Sequence, residues 1–263
     1  MTADKPTLVE RYLEDTDRDE LAAALLVART LEPNVDEGEV RTALGTLGDR
    51  CAARLSPDAA PQSLADFLRD EGFKASDNLQ SLDASRIDKV LSSHRGIPIT
   101  LSVPYLIIGR ALGMTTQGIN FPGHFLLSAN GVLIDPLTAD LLSSSDVERW
   151  LTDANLTHLG PNALAPASPD EMAVRMFNNV KAIYAARGDF VDALALIDVQ
   201  LALVRDTGPL HLERAELWFR LGDAAAAASV LEGARRELVG TRWEAEIDKR
   251  LKRLAGQPPS TIH

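Results

Sequence analysis

The sequence predicts an α+β protein: a helical N-terminal region that encloses one apolar helix and a small antiparallel sheet, followed by an all-α region. Three observations carry this reading. Apolar residues recur at helical spacing from residue 20 to about residue 70. Between residues 115 and 135 the pattern changes to short runs rich in branched and aromatic side chains, with an Asn-Gly pair inside the second run. From residue 168 to about residue 255 it is helical again, with an internal repeat.

Taken in order, a short polar lead precedes ELAAALLVARTLEP (20–33), which has helical spacing and stops at Pro33. Asn34 and Glu37 give a cap-like start to VDEGEVRTALGTLGDRCAARL (35–55), and Ser63 caps a third short helix, SLADFLRDEGF (63–73). SRIDKVLSSHRGIPITL (85–101) leads into the apolar helix within GIPITLSVPYLIIGRALGM (96–114), where Pro104 is expected to introduce a kink. TTQGINFP (115–122) and HFLLSANGVLID (124–135) follow, and Asn130-Gly131 is a two-residue turn that folds the second run into a two-stranded hairpin. Ser145 with Glu148 makes a capping box for DVERWLTDA (146–154). Residues 154–167 hold two prolines, a glycine and little charge, and read as a connector. SPDE (168–171) joins a Ser cap, Pro at the first helical position and Glu at the third. The expected domains are therefore 1–153, a connector at 154–167, a helical region at 168–256 and a disordered tail at 257–263.

The helical region repeats itself. NVKAIYAARGDFVDALALI (179–197) superposes on ERAELWFRLGDAAAAASVL (213–231), with Gly188-Asp189 and Gly222-Asp223 offset by 222 − 188 = 34 residues. Tyr184 and Trp218 share the large aromatic position, and Ala193 and Ala227 the small position at which paired helices approach. Two such units and a closing helix, RWEAEIDKRLKRL (242–254), resemble a short tetratricopeptide array; an unrelated helical bundle is the plainer alternative.

Composition excludes several function classes. The 263 residues are 45% hydrophobic and 25% charged, ordinary values for a soluble globular chain of one large or two modest domains. A net charge of −11 argues against a general nucleic-acid binder, which needs clustered Lys and Arg. The most basic run (235–254) alternates in sign and reads as a solvated helix face. The single cysteine, Cys51, can form no internal disulfide, as suits a reducing cytoplasm. The acidic N-terminus is no signal peptide, and the longest apolar stretch, 96–109, contains two prolines and falls short of the ~20 residues that span a bilayer. The expectation is a cytoplasmic protein with neither a membrane nor a nucleic-acid partner.

The chemistry-bearing residues lie around the apolar helix. With Asn130-Gly131 as the turn, Ala129 faces Val132, Leu127 faces Ile134 and His124 faces Leu137. Asp135 is then a diagonal neighbour of His124 on one sheet face, ~7–8 Å away between backbones. An imidazole held by a carboxylate on the adjacent strand is the base-and-orienter half of a catalytic triad. The bland alternative is a hydrogen-bonded structural His beside an Asp that forms a turn. His94, His158, His211 and His263 show no metal-ligand spacing, so neither metal nor cofactor is expected.

The layout resembles transglutaminase-like and papain-like cores, in which a cysteine opens the central helix and the helix N-terminus lowers its pKa. The family's Gly-x-Cys start falls on Gly96-Ile97-Pro98, its Leu-Gly helix end on Leu112-Gly113, its His on His124 and its Asp on Asp135, followed by Pro136. The nucleophile position thus holds proline, which suits a first helical turn and cannot attack a carbonyl. Thr100 lies about 200° round the helix from Pro98, and Ser102 shares its face one turn deeper. RGIPITLS (95–102), NFPGHFLL (120–127) and LIDP (133–136) resemble, in addition, a bacterial SirB-like family that joins a transglutaminase-like core to tetratricopeptide repeats. The chain departs from that family at Asp83-Ala84, where an Arg-Asn pair is usual, and at Pro104, where an aliphatic residue is usual. Members carry proline at the former cysteine position, and related cores in eukaryotic F-box proteins serve recruitment.

The resemblance implies a non-catalytic scaffold or adaptor. Its degenerate pocket would draw on Thr100, Ser102, Asn120, Phe121, His124 and Asp135, and its repeats would hold a protein or peptide partner. The competing expectation is a residual hydrolase or deamidase that uses His124 and Asp135 with a non-standard nucleophile. In a third reading the two residues only support the fold.

Overall fold

The computed structural model describes residues 5–78, 80–153 and 164–255. The chain divides into two compact units, residues 1–176 and 177–263.

The first unit is built round α6 (Pro98–Ala111). Ten of its 14 residues are buried, the pattern of a helix with no solvent face. Four helices, α2 (Glu20–Leu31), α3 (Glu37–Ala52), α4 (Pro61–Asp70) and α5 (Ile87–Ser93), pack against it, and α1 (Lys5–Glu14) packs on α2. α6 continues through Pro104, which removes one backbone bond, to the carbonyl of Thr100. At its end Arg110 forms a two-pronged ion pair with Glu20 of α2, Nη1 donating to Oε1 at 2.9 Å and Nη2 to Oε2.

The remaining face of α6 is covered by a three-stranded antiparallel sheet, β3 (Thr116–Ile119), β4 (Leu126–Ala129) and β5 (Val132–Ile134), in that order. A two-residue parallel pair, β1 (Lys74–Ala75) with β2 (Arg95–Gly96), lies just before α6 and has no counterpart in the sequence reading. Asn130 and Gly131 take φ of 50° and 80°, the left-handed pair that a tight hairpin requires. Ala129 faces Val132 and Leu127 faces Ile134, as expected, but the ladder stops at that second pair. The expected pairing of His124 with Leu137 does not form. β3 also pairs with β4, so the chain must reverse between them, and Pro122, Gly123 (φ 76°) and His124 make that reversal. His124 N–H donates to Phe121 O across the turn at 3.0 Å.

Three helix starts differ from expectation by two or three residues. Asp36 rather than Asn34 caps α3, its Oδ1 accepting from Gly38 N at 2.7 Å and Glu39 N at 3.2 Å. α4 opens at Pro61, which leaves Ser63 inside the helix. α7 (Ser144–Asp153) is capped by Ser143 with Asp146 in place of Ser145 with Glu148, through Asp146 N to Ser143 Oγ and Ser143 N to Asp146 Oδ2. In each case an acceptor or proline nearer the first turn takes the position. The box at Ser168 and Glu171 forms as read, at 2.7 Å and 3.2 Å. Residues 154–163 of the expected connector and the expected tail lie outside the described residues. The connector's far end edges the sheet, with Pro166 bridged to Ile119 and Ala167 N donating to Gly118 O at 2.8 Å.

α8 (Pro169–Arg187) begins in the first unit and ends in the second, which continues with α9 (Phe190–Leu203), α10 (Gly208–Arg220), α11 (Ala224–Glu237) and α12 (Glu244–Ala255). The 34-residue offset is reproduced atom for atom at two turns. Gly188 and Gly222 both have φ 83°, and the N–H five residues past Tyr184 and past Trp218 returns to the carbonyl of that aromatic, at 2.9 and 3.0 Å. These are the six-to-one bonds of a glycine-terminated helix. Ala193 and Ala227 are both buried in the apolar clusters that join successive helices, with Tyr184 against the first and Trp218 against both.

Candidate functional site

The start of α6 is closed by its own backbone. Gly96 is pressed so tightly that a Cβ there would meet Val90 Cγ2 at 3.0 Å and Thr100 Oγ1 at 3.1 Å. Ile97 is extended, and Pro98 takes the first helical position, half-buried. Thr100 Oγ1 accepts from Ile97 N at 3.2 Å and donates to Ala84 O at 2.7 Å. Ser102 Oγ donates to Pro98 O at 2.8 Å. Both hydroxyls sit on fully buried residues and are committed to main-chain carbonyls. Cys51, in α3, is also fully buried, and burial pushes its thiol up to about 11, well away from the thiolate that reacts.

His124 is exposed on the β3–β4 turn. Its ring lies flat on Trp150 of α7, with centroids 4.1 Å apart and an interplanar angle of 11°. Phe121, fully buried, stands edge-on to Trp150 at 6.2 Å and anchors this platform in the sheet. Val147, Trp150 and Leu151, at i, i+3 and i+4 on α7, supply the apolar face that seats on Phe121 and Leu126. Arg175 of α8 clamps the turn from behind. Its Nη2 donates to His124 O at 2.7 Å and its Nη1 to Asn120 Oδ1 and Phe121 O at 3.4 Å each, while the guanidinium covers the Phe125 ring.

Asp135 is half-buried just past β5. Its Oδ1 accepts from Leu137 N at 2.8 Å, its own N–H donates to Asp140 O, and its carbonyl accepts from Ala139 N, whose residue sits at φ 60°. Burial raises the Asp135 carboxyl above the ordinary carboxylate range, against the Leu137 N–H and the nearby His124, which lower it. His124 and Asp135 are thus electrostatic neighbours, but among the described residues no hydrogen bond joins them. The carboxylate closes its own turn, and the imidazole is oriented by an indole. The Tyr105 hydroxyl on α6 is buried without a partner among the described residues, and burial pushes its pKa up. Trp150 and Arg175 were not singled out from sequence. Trp150 carried a faint signal, as one of three tryptophans in a chain with 5% aromatics. Arg175 lies 51 residues from the carbonyl it binds, and no local pattern marks it.

A raised carboxyl pKa sets the sign of a pH effect. Between its unfolded and folded pKa the native state holds the proton more tightly, so stability falls as pH rises through that window and the penalty persists above it. Asp135→Asn keeps the turn acceptor without the charge. It is expected to be at least as stable as the parent at pH 7, an advantage that vanishes below about pH 4. Asp135→Ala, which loses the turn bond, should cost about 1 kcal/mol. Urea unfolding at pH 7 and at low pH reads both.

An apolar central helix packed against a small antiparallel sheet, with a histidine and an aspartate just beyond the ends of its strands, has the arrangement of a transglutaminase-like core. The chain belongs to the transglutaminase-like superfamily, whose sequence profile matches residues 38–178. It is 28% identical over 223 residues to a UPF0162 protein of Pseudomonas aeruginosa, covering 80% of each chain. It is 29% identical over 127 residues to a UPF0162 protein of Vibrio cholerae, covering 46% of this chain and 47% of that one. It is also similar to human F-box only protein 21, 30% identical over 146 residues, which are 51% of this chain and 23% of that protein. No solved structure matches. Among the described residues no helix is long and apolar enough to cross a membrane.

Proposed function

We propose that the chain is a non-catalytic cytoplasmic scaffold of the SirB-like kind, in which a degenerate transglutaminase-like site and a tetratricopeptide-like array each bind a protein or peptide. The observation that carries this reading is Pro98 at the first position of α6. At that spot a hydrolase of this layout needs a thiolate stabilised by the helix N-terminus. Supporting it, the hydroxyls of Thr100 and Ser102 donate to carbonyls, and the only thiol is buried and protonated. His124 on its aromatic platform can still donate or accept a hydrogen bond and stack on a ligand. The 34-residue turn repeat supports the array, because stacked helical hairpins of this period present long binding faces.

The test is a panel of peptide esters, peptide amides and glutamine-containing peptides, incubated with the full-length chain and with His124→Ala. Equal background in both is expected. Turnover that disappears in the variant overturns the scaffold reading in favour of a hydrolase or deamidase with an unforeseen nucleophile.

A further inference from the structure

A separate recess in the first unit is lined by none of the residues of the candidate site. It opens where α1, α2 and the start of α3 meet, with a volume of about 220 Å³. Three guanidiniums line it, those of Arg11, Arg29 and Arg41, against two carboxylates, Asp15 and Glu37. Glu37 is shared: Arg41 Nη2 approaches its Oε1 at 2.8 Å and Arg29 Nη1 its Oε2 at 3.5 Å. Arg29 Nε is buried and has no hydrogen-bond partner among the described residues. A buried donor without an acceptor is costly, more so when the group is charged. Arg11, exposed on the last turn of α1, adds a further positive charge at the mouth. The floor is apolar, made by Leu8, Leu25 and Leu26. In a chain of net charge −11 this is a local inversion of sign, and it favours an anion that the rest of the surface repels.

We propose that this recess binds a small organic oxyanion, a carboxylate or phosphate head on a short apolar body, held by Arg29 and Arg11. The oxyanion pairs with the guanidinium groups that Arg29 and Arg11 bring to the recess, because such forks match planar and tetrahedral oxyanions. The body lies on the leucine floor. The volume, below the roughly 300–1,000 Å³ of drug-sized sites, sets the size of the occupant at a fragment.

The experiment titrates the full-length chain with hexanoate, phenyl phosphate and the neutral hexanamide, followed by amide chemical shifts and calorimetry. At least one anion is expected to bind while hexanamide does not, and the tighter of the two identifies the head group. Arg29→Gln and, separately, Arg11→Gln should each weaken that anion about tenfold, the loss of one charge-assisted bond. Arg236→Gln, on an exposed face of α11, should leave it unchanged. Arg11 is exposed, so an unaltered melting temperature in Arg11→Gln separates lost binding from lost fold. The proposal is overturned if neither anion binds at about 20 mM, if hexanamide binds as well as hexanoate, or if both recess variants keep the parent affinity.

Discussion

Gly109→Val is expected to lower the stability of the first unit by about 3 kcal/mol, the upper end of overpacking costs. Gly109 lies in the last turns of α6, where a Cβ would meet Thr116 Cγ2 at 2.6 Å and Leu64 Cδ2 at 3.1 Å. Neither neighbour can yield. Thr116 is held by its hydroxyl, which donates to Leu106 O at 2.7 Å, and by its pairing with Ala129; Leu64 is fully buried in α4. A glycine inside a helix normally costs about 0.5–1 kcal/mol relative to alanine. Here the sign reverses, because the missing Cβ is what lets β3 and α4 reach the helix. Gly45→Ala is the internal control: it sits on the exposed face of α3 with nothing within 4 Å of the added carbon. That substitution should stabilise by about 0.5–1 kcal/mol. Urea unfolding of the two variants checks the contrast, and a Gly109→Val chain as stable as the parent would sink this account of how α6 is seated.

The second large effect lies in the helical unit. Lys181 of α8 is only 2% exposed, and its ammonium is bonded to Glu213 of α10. Burial lowers the lysine's pKa even against the pull of that carboxylate. Glu213→Gln leaves the ammonium buried without an opposite charge. Breaking a buried pair costs about 3–5 kcal/mol, and about 2 kcal/mol is expected here because solvent reaches the Glu213 side. Lys181→Met removes the desolvated charge together with its need for a partner, and should be near neutral. The lowered lysine pKa makes the unfolded chain bind the proton more tightly than the native one. Stability therefore rises with pH up to the ordinary lysine range, and the Glu213→Gln deficit should shrink on the alkaline side. Thermal melts at neutral and alkaline pH test both the deficit and its direction.

The sequence was legible where a pattern is local. The apolar run of α6, the Asn130-Gly131 turn, the Ser168–Glu171 box and the 34-residue glycine spacing are local patterns, and each appears where it was read. Local chemistry chose among near-equal candidates at three caps, and there the structure differs by two or three residues, as at Asp36 against Asn34. His124 was misplaced for a topological reason. The hairpin register was right, but a third strand needs a reversal, and Pro122-Gly123 supplied it before the ladder reached the histidine. Asp135 followed the same logic, with its carboxylate drawn to the nearest N–H of its own turn. The ring that orients His124 and the guanidinium that clamps its loop come from α7 and α8, beyond the reach of any spacing rule. The Lys181–Glu213 pair, 32 residues apart, could not be told from the many surface charges of a chain that is 25% charged.

With proline heading α6 and the one cysteine sealed inside α3, the folded chain turns no sulfhydryl toward solvent. Peroxide, nitrosating agents and electrophiles inactivate enzymes by attacking accessible thiolates. A hydrolase of the same blueprint is silenced by such stress. This core has no thiol at the head of α6 to oxidise, so its fold is expected to stay unchanged at peroxide levels that attack accessible thiolates.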